Sequence, residues 1–315
     1  MELADTQRKT DILSLIGNTP VVNILNSEYP KADVRLKLEA FNPGGSIKDR
    51  VAYEIITEAE DRSIIKPGDE LVEATSGNTG IGIAWIGRLK GYKVTIFTHD
   101  KISTEKLALL KYYGASVLVM PSDTPINSSD HYVNVAANYA SEAGRFFCDQ
   151  FNNIANTNSH YKKTAPELWR QGGSEADVVI CGVGSGGTLS GIQKYFKDKG
   201  SAARFIVADP MGSIYSSYFC NDNYIPQQWC VEGIGSNFIP GILCRNMADD
   251  VVTVSDDESF SMCDFIRRNY SIDIGLSTGT AVAAAAFMLK ENNALRIMVI
   301  SPDSGERYIS KLQKI

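Results

Sequence analysis

Val178-Val179-Ile180-Cys181 runs into Gly182-Val183-Gly184-Ser185-Gly186-Gly187-Thr188 and on into Leu189-Ser190-Gly191-Ile192-Gln193-Lys194-Tyr195. An apolar run, a glycine turn and an amphipathic stretch, in that order, read as a buried strand, a tight loop and a helix N-terminus. Glycines let backbone N–H groups approach a ligand, and the helix end carries partial positive charge. The turn is therefore an anion site that suits a phosphate. The same stretch also fits a dinucleotide fingerprint, with Gly182, Gly184 and Gly187 followed by Asp209 at the end of the next strand, about 20 residues on.

The strand-then-helix pattern repeats along the chain. Runs rich in Val, Ile and Leu predict strands at Val34 to Glu39, Glu70 to Ala74, Lys93 to Phe97, Ser116 to Met120, Asp177 to Cys181, Arg204 to Ala208, Val251 to Val254 and Arg296 to Ile300. Helices are predicted to start near Ser46, Gly80, Ser103, His131, Thr157, Thr188, Asp257 and Thr278. Apolar strands alternating with amphipathic helices make this an α/β chain with mostly parallel sheets. Pro121 to Asp130 and Pro210 to Gln228 read as loops, and the second is long enough to suggest a role over a substrate cleft as well as an ordinary surface excursion.

The chain has 315 residues, 43% hydrophobic content, and 31 basic against 37 acidic residues for a formal charge of −6. That length suits about two domains, and neither sign of charge gathers into the runs that nucleic-acid or membrane surfaces use. A small soluble partner is expected, with no nucleic acid and no membrane. Cysteines 148, 181, 220, 230, 244 and 263 form no CxxC pair, so no metal is expected; Cys148 and Cys181 sit in apolar runs and read as buried thiols in core strands. Met1 to Thr6 is polar and lacks the apolar region of a signal peptide, which gives a cytoplasmic location by default.

A second turn, Thr75-Ser76-Gly77-Asn78-Thr79-Gly80, falls between a predicted strand and a helix. Its hydroxyls, amide and exposed helix N–H groups suit a carboxylate. Lys48, in Asn42-Pro43-Gly44-Gly45-Ser46-Ile47-Lys48-Asp49-Arg50, stands near a third helix start. Alone it would read as a surface charge. With two anion cradles in the same chain, a phosphate-bearing cofactor bonded to a lysine accounts for all three segments. A nicotinamide dinucleotide accounts for the Gly184 loop only. The motifs lie in separate halves of the chain, so a site that uses them all would occupy a cleft between two α/β units.

These residues resemble the cysteine synthase and cystathionine β-synthase family, pyridoxal-phosphate enzymes of the tryptophan-synthase-like fold. The likeness runs through Ile16 to Pro20, Asn42 to Arg50, Thr75 to Gly80, Asp149 to Phe151, Gly182 to Thr188, Glu232 to Gly235, Gly275 to Gly279 and Gly305 to Tyr308. It implies two open twisted α/β domains with the active site between them. Residues 1–40 and 150–315 would form the larger, cofactor-phosphate domain, and 41–149 the smaller, substrate-carboxylate domain.

The resemblance makes Lys48 the lysine that forms a Schiff base with pyridoxal 5′-phosphate and later acts as base. Gly184, Ser185, Gly186, Gly187 and Thr188 would hold the cofactor phosphate, Ser185 standing where the family usually has Thr. Asn78 would bond the 3′-oxygen and Ser277 would face the pyridine nitrogen, while Thr75, Ser76, Thr79 and Gln150 would grip the substrate carboxylate. A neutral serine at the ring nitrogen gives a weaker electron sink than a carboxylate would, which suits β-elimination followed by β-addition. The implied reaction is β-replacement on serine, O-acylserine or cysteine through an α-aminoacrylate, with a sulfur nucleophile. Lanthionine formation with release of sulfide, and a diamino acid as nucleophile, stay open. The family also implies a homodimer. Asp209 to Ser213 and Val231 to Gly235 look like cystathionine β-synthases, Pro166 to Trp169 and Gly305 to Tyr308 like cysteine synthases. Ser236 departs from the Tyr usual in the former.

Overall fold

A computed structural model of the protein describes residues 11–220 and 227–312. Met1 to Thr6, read above as polar, lies outside them. The strands in chain order are β1 (Val21–Ile24), β2 (Asp33–Leu38), β3 (Glu70–Ala74), β4 (Lys93–His99), β5 (Ser116–Met120), β6 (Arg145–Phe147), β7 (Val178–Gly182), β8 (Arg204–Pro210), β9 (Asp250–Val254) and β10 (Arg296–Ser301). The helices are α1 (Lys48–Asp61), α2 (Asn78–Leu89), α3 (Thr104–Tyr112), α4 (Tyr132–Tyr139), α5 (Ile154–Ser159), α6 (Ala165–Arg170), α7 (Gly187–Asp198), α8 (Tyr215–Cys220), α9 (Asp256–Tyr270), α10 (Leu276–Glu291) and α11 (Ile309–Leu312). Among the described residues no helix is long and apolar enough to cross a membrane.

Two sheets result. A six-stranded sheet has the order β1-β2-β10-β7-β8-β9 and a four-stranded sheet the order β5-β4-β3-β6. All neighbours pair in parallel except β1 with β2. The reason is visible in β7: Val178 and Ile180 join one apolar cluster, while Val179 and Cys181 join another on the opposite face. Period-two alternation with both sets apolar makes a strand buried on both sides, which parallel sheets require. Each such side chain contributes roughly 1.5–3 kcal/mol on burial. A third cluster, with Val51, Ile55, Ile81 and Ile96, fills the space between α1, α2 and the smaller sheet.

The strand order also decides where a ligand can sit. In the larger sheet β8 and β9 lie to one side of β7 and β10 to the other; in the smaller, β4 and β5 lie to one side of β3 and β6 to the other. At such switch points the loops leaving adjacent strands diverge and open a crevice at the carboxyl ends. β7 ends at Gly182 and β3 at Ala74. Both anion turns therefore leave strands at switch points.

One buried ionic knot holds α1 in place. Arg50 Nε donates to Glu39 at 2.6 Å, and its Nη atoms donate to Glu167 at 2.8 and 2.7 Å. Lys37 Nζ donates to Glu167 at 3.0 Å and to the Thr19 carbonyl at 3.2 Å. Two cations and two carboxylates balance in a dry place, which such groups tolerate only when paired.

Several expectations shift. The predicted loop from Pro210 to Gln228 contains α8, and residues 221–226 lie outside the described set. Strands β1 and β6 were not predicted. Cys148 is buried but follows β6 instead of lying in a strand. The helix expected from Ser46 starts at Lys48, because Ser46 is drawn into a bridge with Asp303 and Ile47 donates its N–H to the Pro302 carbonyl.

Candidate active site

Lys48 is the first residue of α1, with its N–H donated to Ser46 Oγ at 3.2 Å. It keeps part of its side chain exposed. Desolvation nevertheless pushes its pKa down to about 8, against the opposing pull of Asp303 and Glu73. A tenth of such lysines are neutral near pH 7, roughly, by the one-unit rule. Next to it Asp49 braces the preceding loop: Gly44 N–H donates to its Oδ2 at 2.5 Å and Trp85 Nε1 to its Oδ1 at 3.0 Å. Burial raises that carboxyl to about 6.

The Gly184 loop leaves β7 and enters α7 on Gly186, whose φ of +92° suits glycine. Ser185 Oγ accepts from Asn156 Nδ2 at 2.9 Å, and Thr188 Oγ1 lies 3.3 Å from His160 Nε2. His160 is pushed well below the usual histidine range, first by burial and then by the charges of Lys48 and Arg50. It is therefore a neutral prop for Thr188 that also lies within reach of the Lys48 charge. Tyr215 Oη donates to the Gly184 carbonyl at 2.6 Å. His160 opens a π turn that continues α5 into α6.

At the other switch point Thr75 Oγ1 accepts from Gly77 N–H at 3.2 Å, and Thr79 Oγ1 donates to Gln150 Oε1 at 2.6 Å. Gln150 Nε2 donates to the Ala74 carbonyl at 3.1 Å, and its N–H to Glu73 Oε2 at 3.2 Å. Glu73 is fully buried, and desolvation raises its pKa well above the carboxylate range. Thr75, Thr79 and Gln150 are buried, while Ser76 and Asn78 keep partial exposure. Asn78 is occupied on both sides of its amide: Nδ2 donates to Asp303 at 2.6 Å and Oδ1 accepts from Arg307 at 2.7 Å.

Ser277 lies in the first turn of α10 and is 4% exposed. The start of its helix meets the lysine segment through Asp303. Gly275 N–H, at the start of α10, donates to the Asp303 carbonyl at 3.1 Å, and Ser46 bridges to the same residue. All the candidate residues thus surround the carboxyl ends of β3, β7 and β10.

The donor set fits a phosphorylated cofactor bonded to the lysine. Helices α2, α7 and α10 all start on a glycine with no side-chain cap, at Gly77, Gly186 and Gly275. By contrast, α3, α4, α5 and α9 are capped by Ser103, His131, Asn153 and Ser255. Uncapped first turns keep N–H donors for an anion. At Gly184 a Cβ would meet the Gly233 carbonyl oxygen at 2.5 Å, so the loop requires glycine there.

Sequence reasoning missed Asn156, His160, Glu73, Asp303, Arg307 and Lys106. Lys106 matters because no cation flanks the Thr75 to Gly80 turn in sequence, yet its alkyl chain packs where a Cβ of Gly77 would stand. Asp209, the acidic residue of the dinucleotide fingerprint, is 1% exposed and accepts from Ser216 N–H at 3.2 Å. Its Oδ2 helps to start α8 and its Oδ1 is buried without a hydrogen-bond partner among the described residues, so the carboxylate is not exposed to a ribose.

Comparison with known proteins agrees. Residues 12–303 match the family described as "Pyridoxal-phosphate dependent enzyme". The chain is 37% identical over 311 residues to a cystathionine beta-synthase of Apis mellifera, covering 97% of this chain and 62% of that protein. It is 36% identical over 306 residues to the Rattus norvegicus cystathionine beta-synthase, covering 96% of this chain and 54% of that protein. The chain thus spans little more than half the length of these curated relatives. A crystal structure of O-ureido-L-serine synthase superposes with a TM-score of 0.87 at 31% identity, covering 97% of this chain and 95% of the other. A mutant of that enzyme with O-ureido-L-serine bound gives 0.88 at 31% identity, covering 97% and 94%. A neutral-prone lysine at a helix start, two uncapped anion cradles and a match along nearly the whole chain lead to one assignment: the chain belongs to the pyridoxal-phosphate dependent enzyme family.

Proposed function

We propose that the protein catalyses β-replacement on an amino acid with a β-leaving group, namely serine, O-acylserine or cysteine, using a sulfur nucleophile. The observation that carries this is Lys48, its pKa lowered to about 8, set between two anion cradles at the carboxyl ends of β3 and β7. Bound there, pyridoxal phosphate supplies an electron-withdrawing ring that acidifies an α-proton and lets a β-substituent leave. Lys48 holds the cofactor, and its Nζ then takes the α-proton as general base. Gly184, Ser185, Gly186, Gly187 and Thr188 hold the phosphate. Asn78 addresses the 3′-oxygen. Ser277 addresses the ring nitrogen without forcing it to stay protonated. Thr75, Ser76, Thr79 and Gln150 receive the substrate carboxylate, with Gln150 braced by Thr79 and Ala74.

Similarity to cystathionine beta-synthases supports a sulfur nucleophile, and similarity to O-ureido-L-serine synthase supports a serine skeleton. Within this reading, residues 1–40 and 150–315 form the cofactor-phosphate domain and 41–149 the substrate-carboxylate domain. The four-stranded sheet, whose strands run from Glu70 to Phe147, supports that division. A homodimer follows from the family likeness.

A donor and acceptor matrix tests the reading. Serine, O-acetylserine, O-phosphoserine and cysteine are each paired with sulfide, homocysteine, cysteine and a diamino acid, and products are identified by mass. A β-substituted product with sulfide or a thiol is expected. Lanthionine and sulfide from cysteine alone would narrow the donor and acceptor to one compound, whereas a product only with the diamino acid would overturn the sulfur assignment. No product from any pair would sink the β-replacement reading.

A further inference from the structure

The polar groups behind Asn78 are joined in one buried chain. Asn78 Nδ2 donates to Asp303 Oδ2 at 2.6 Å, and the same oxygen accepts from Tyr308 Oη at 2.6 Å. Tyr308 Oη in turn accepts from Lys106 Nζ at 3.0 Å, and Lys106 Nζ also donates to Glu232 Oε2 at 2.9 Å. Lys106, Asp303 and Tyr308 are 2%, 1% and 1% exposed, so water does not compete for these bonds. Lys311 pairs with the other oxygen of Glu232. Asp303 Oδ1 is buried with no hydrogen-bond partner among the described residues, which leaves the links through Oδ2 to hold the carboxylate.

The two ends of this chain belong to different parts of the site. Asn78 opens α2 beside the smaller sheet. Glu232 stands in the segment that rests on the Gly184 loop, where Gly235 N–H donates to the Val183 carbonyl at 2.8 Å and Gly233 packs on Gly184. The Asn78 amide has no freedom to flip. Arg307 Nη1 donates to its oxygen at 2.7 Å and also reaches Gly44 O through Nη2, while Asp303 takes one N–H. A primary amide has two N–H donors, so one remains for an acceptor in the cleft.

We propose that Lys106, Tyr308 and Asp303 are positioning residues that tie the Glu232 segment to the Asn78 amide, so that seating of this segment sets how Asn78 presents its remaining N–H to the cofactor oxygen. The proposal rests on the assignment of Asn78 to the 3′-oxygen made above. Connected buried networks act as units and not as separate pairs, so removal of one link is felt at the far end. Tyr308 is the natural place to cut. Its ring lies under Lys106 Nζ, 4.2 Å from centroid to nitrogen, a contact that Phe keeps while it removes the hydroxyl that bonds Lys106 and Asp303.

The test is a double-mutant cycle on apo-protein titrated with pyridoxal phosphate. It uses Tyr308→Phe, Asn78→Ala and the pair, and reads the Kd and the visible absorbance maximum of the bound cofactor. Tyr308→Phe should weaken binding about tenfold and move the band, and both effects should disappear once Asn78 is Ala. Glu232→Gln should move the band in the same direction by less, with the protein still folded by circular dichroism. Equal effects of Tyr308→Phe with and without Asn78, or a Tyr308→Phe spectrum identical to wild type, would overturn the proposal. Should Tyr308→Phe not fold by circular dichroism, the Glu232→Gln and Asn78→Ala pair runs the same cycle under the same criteria. Wild-type protein that takes up no cofactor would overturn the functional reading together with this one; cofactor bound at Lys48 with additive variants would overturn this one alone.

Discussion

Arg50 donates through Nη1 and Nη2 to the two carboxylate oxygens of Glu167, at 2.8 and 2.7 Å, across 117 residues of chain. Because Arg50 stands two residues after Lys48 in α1, this bond and its partner to Glu39 set the angle at which the lysine enters the cleft. Arg50→Met should cost about 3–5 kcal/mol in urea unfolding at pH 7, since it leaves two buried carboxylates with Lys37 alone. Glu167 has its pKa held at about 2, below the ordinary 4.5: burial alone would raise it, but the bonds and charge of Arg50 outweigh that. A depressed carboxyl adds stability that is full above about 4.5 and is lost as pH falls toward about 2. The gap between wild type and Arg50→Met should therefore narrow over that window. A gap that stays constant with pH would contradict the pairing.

Lys48 carries a pKa of about 8 because burial disfavours its charge. A lowered lysine pKa means that the neutral amine appears as pH rises through about 8, well before the ordinary 10.5. The rate at which apo-protein takes up pyridoxal phosphate should climb with pH and level off just above 8. A rate still climbing toward 10.5 would place the amine in water.

Gly187 admits no side chain, because a Cβ there would strike the amide of Asn156. That amide donates to Ser185 Oγ at 2.9 Å and to the Gln150 carbonyl at 2.8 Å, so it braces both cradles. Alanine is otherwise favoured in a helix over glycine by about 1 kcal/mol. Gly187→Ala should raise the Kd for pyridoxal phosphate at least tenfold, roughly the effect of about 1.4 kcal/mol, although the helix itself gains. Unchanged cofactor binding by titration would count against the phosphate assignment.

Thr79 fixes Gln150 by donating to its Oε1 at 2.6 Å. Thr79→Val keeps the shape and removes the donor, leaving the Gln150 side chain held only through its Nε2 by the Ala74 carbonyl. The expected result is an increase of about tenfold in KM for the donor amino acid with cofactor affinity intact, the mark of lost substrate positioning. Loss of cofactor instead would put Thr79 in the other cradle.

Much of this was legible in the sequence because it depends on local pattern. The two-face alternation of Val178 to Cys181 and the glycines after it specify a parallel strand and an anion turn wherever they occur. The short strands Val21–Ile24 and Arg145–Phe147 escaped notice, since three or four residues give too little periodicity. Tyr215–Cys220 read as loop because it carries paired serines and no charge pattern, although Asp209 helps to start it. The residues that orient the site were invisible for another reason. Lys106 meets Tyr308 across 202 positions and Asn78 meets Asp303 across 225, so neither side chain has a role that its own neighbours reveal.

Borohydride reduction of the purified, cofactor-loaded protein, followed by peptide mass mapping, tests the central claim most directly. The protein should be yellow and lose its colour on reduction, with the pyridoxyl mass on Lys48 and no fixed cofactor in Lys48→Ala. A label on any other lysine, or a Lys48→Ala protein that still fixes the cofactor, would contradict it.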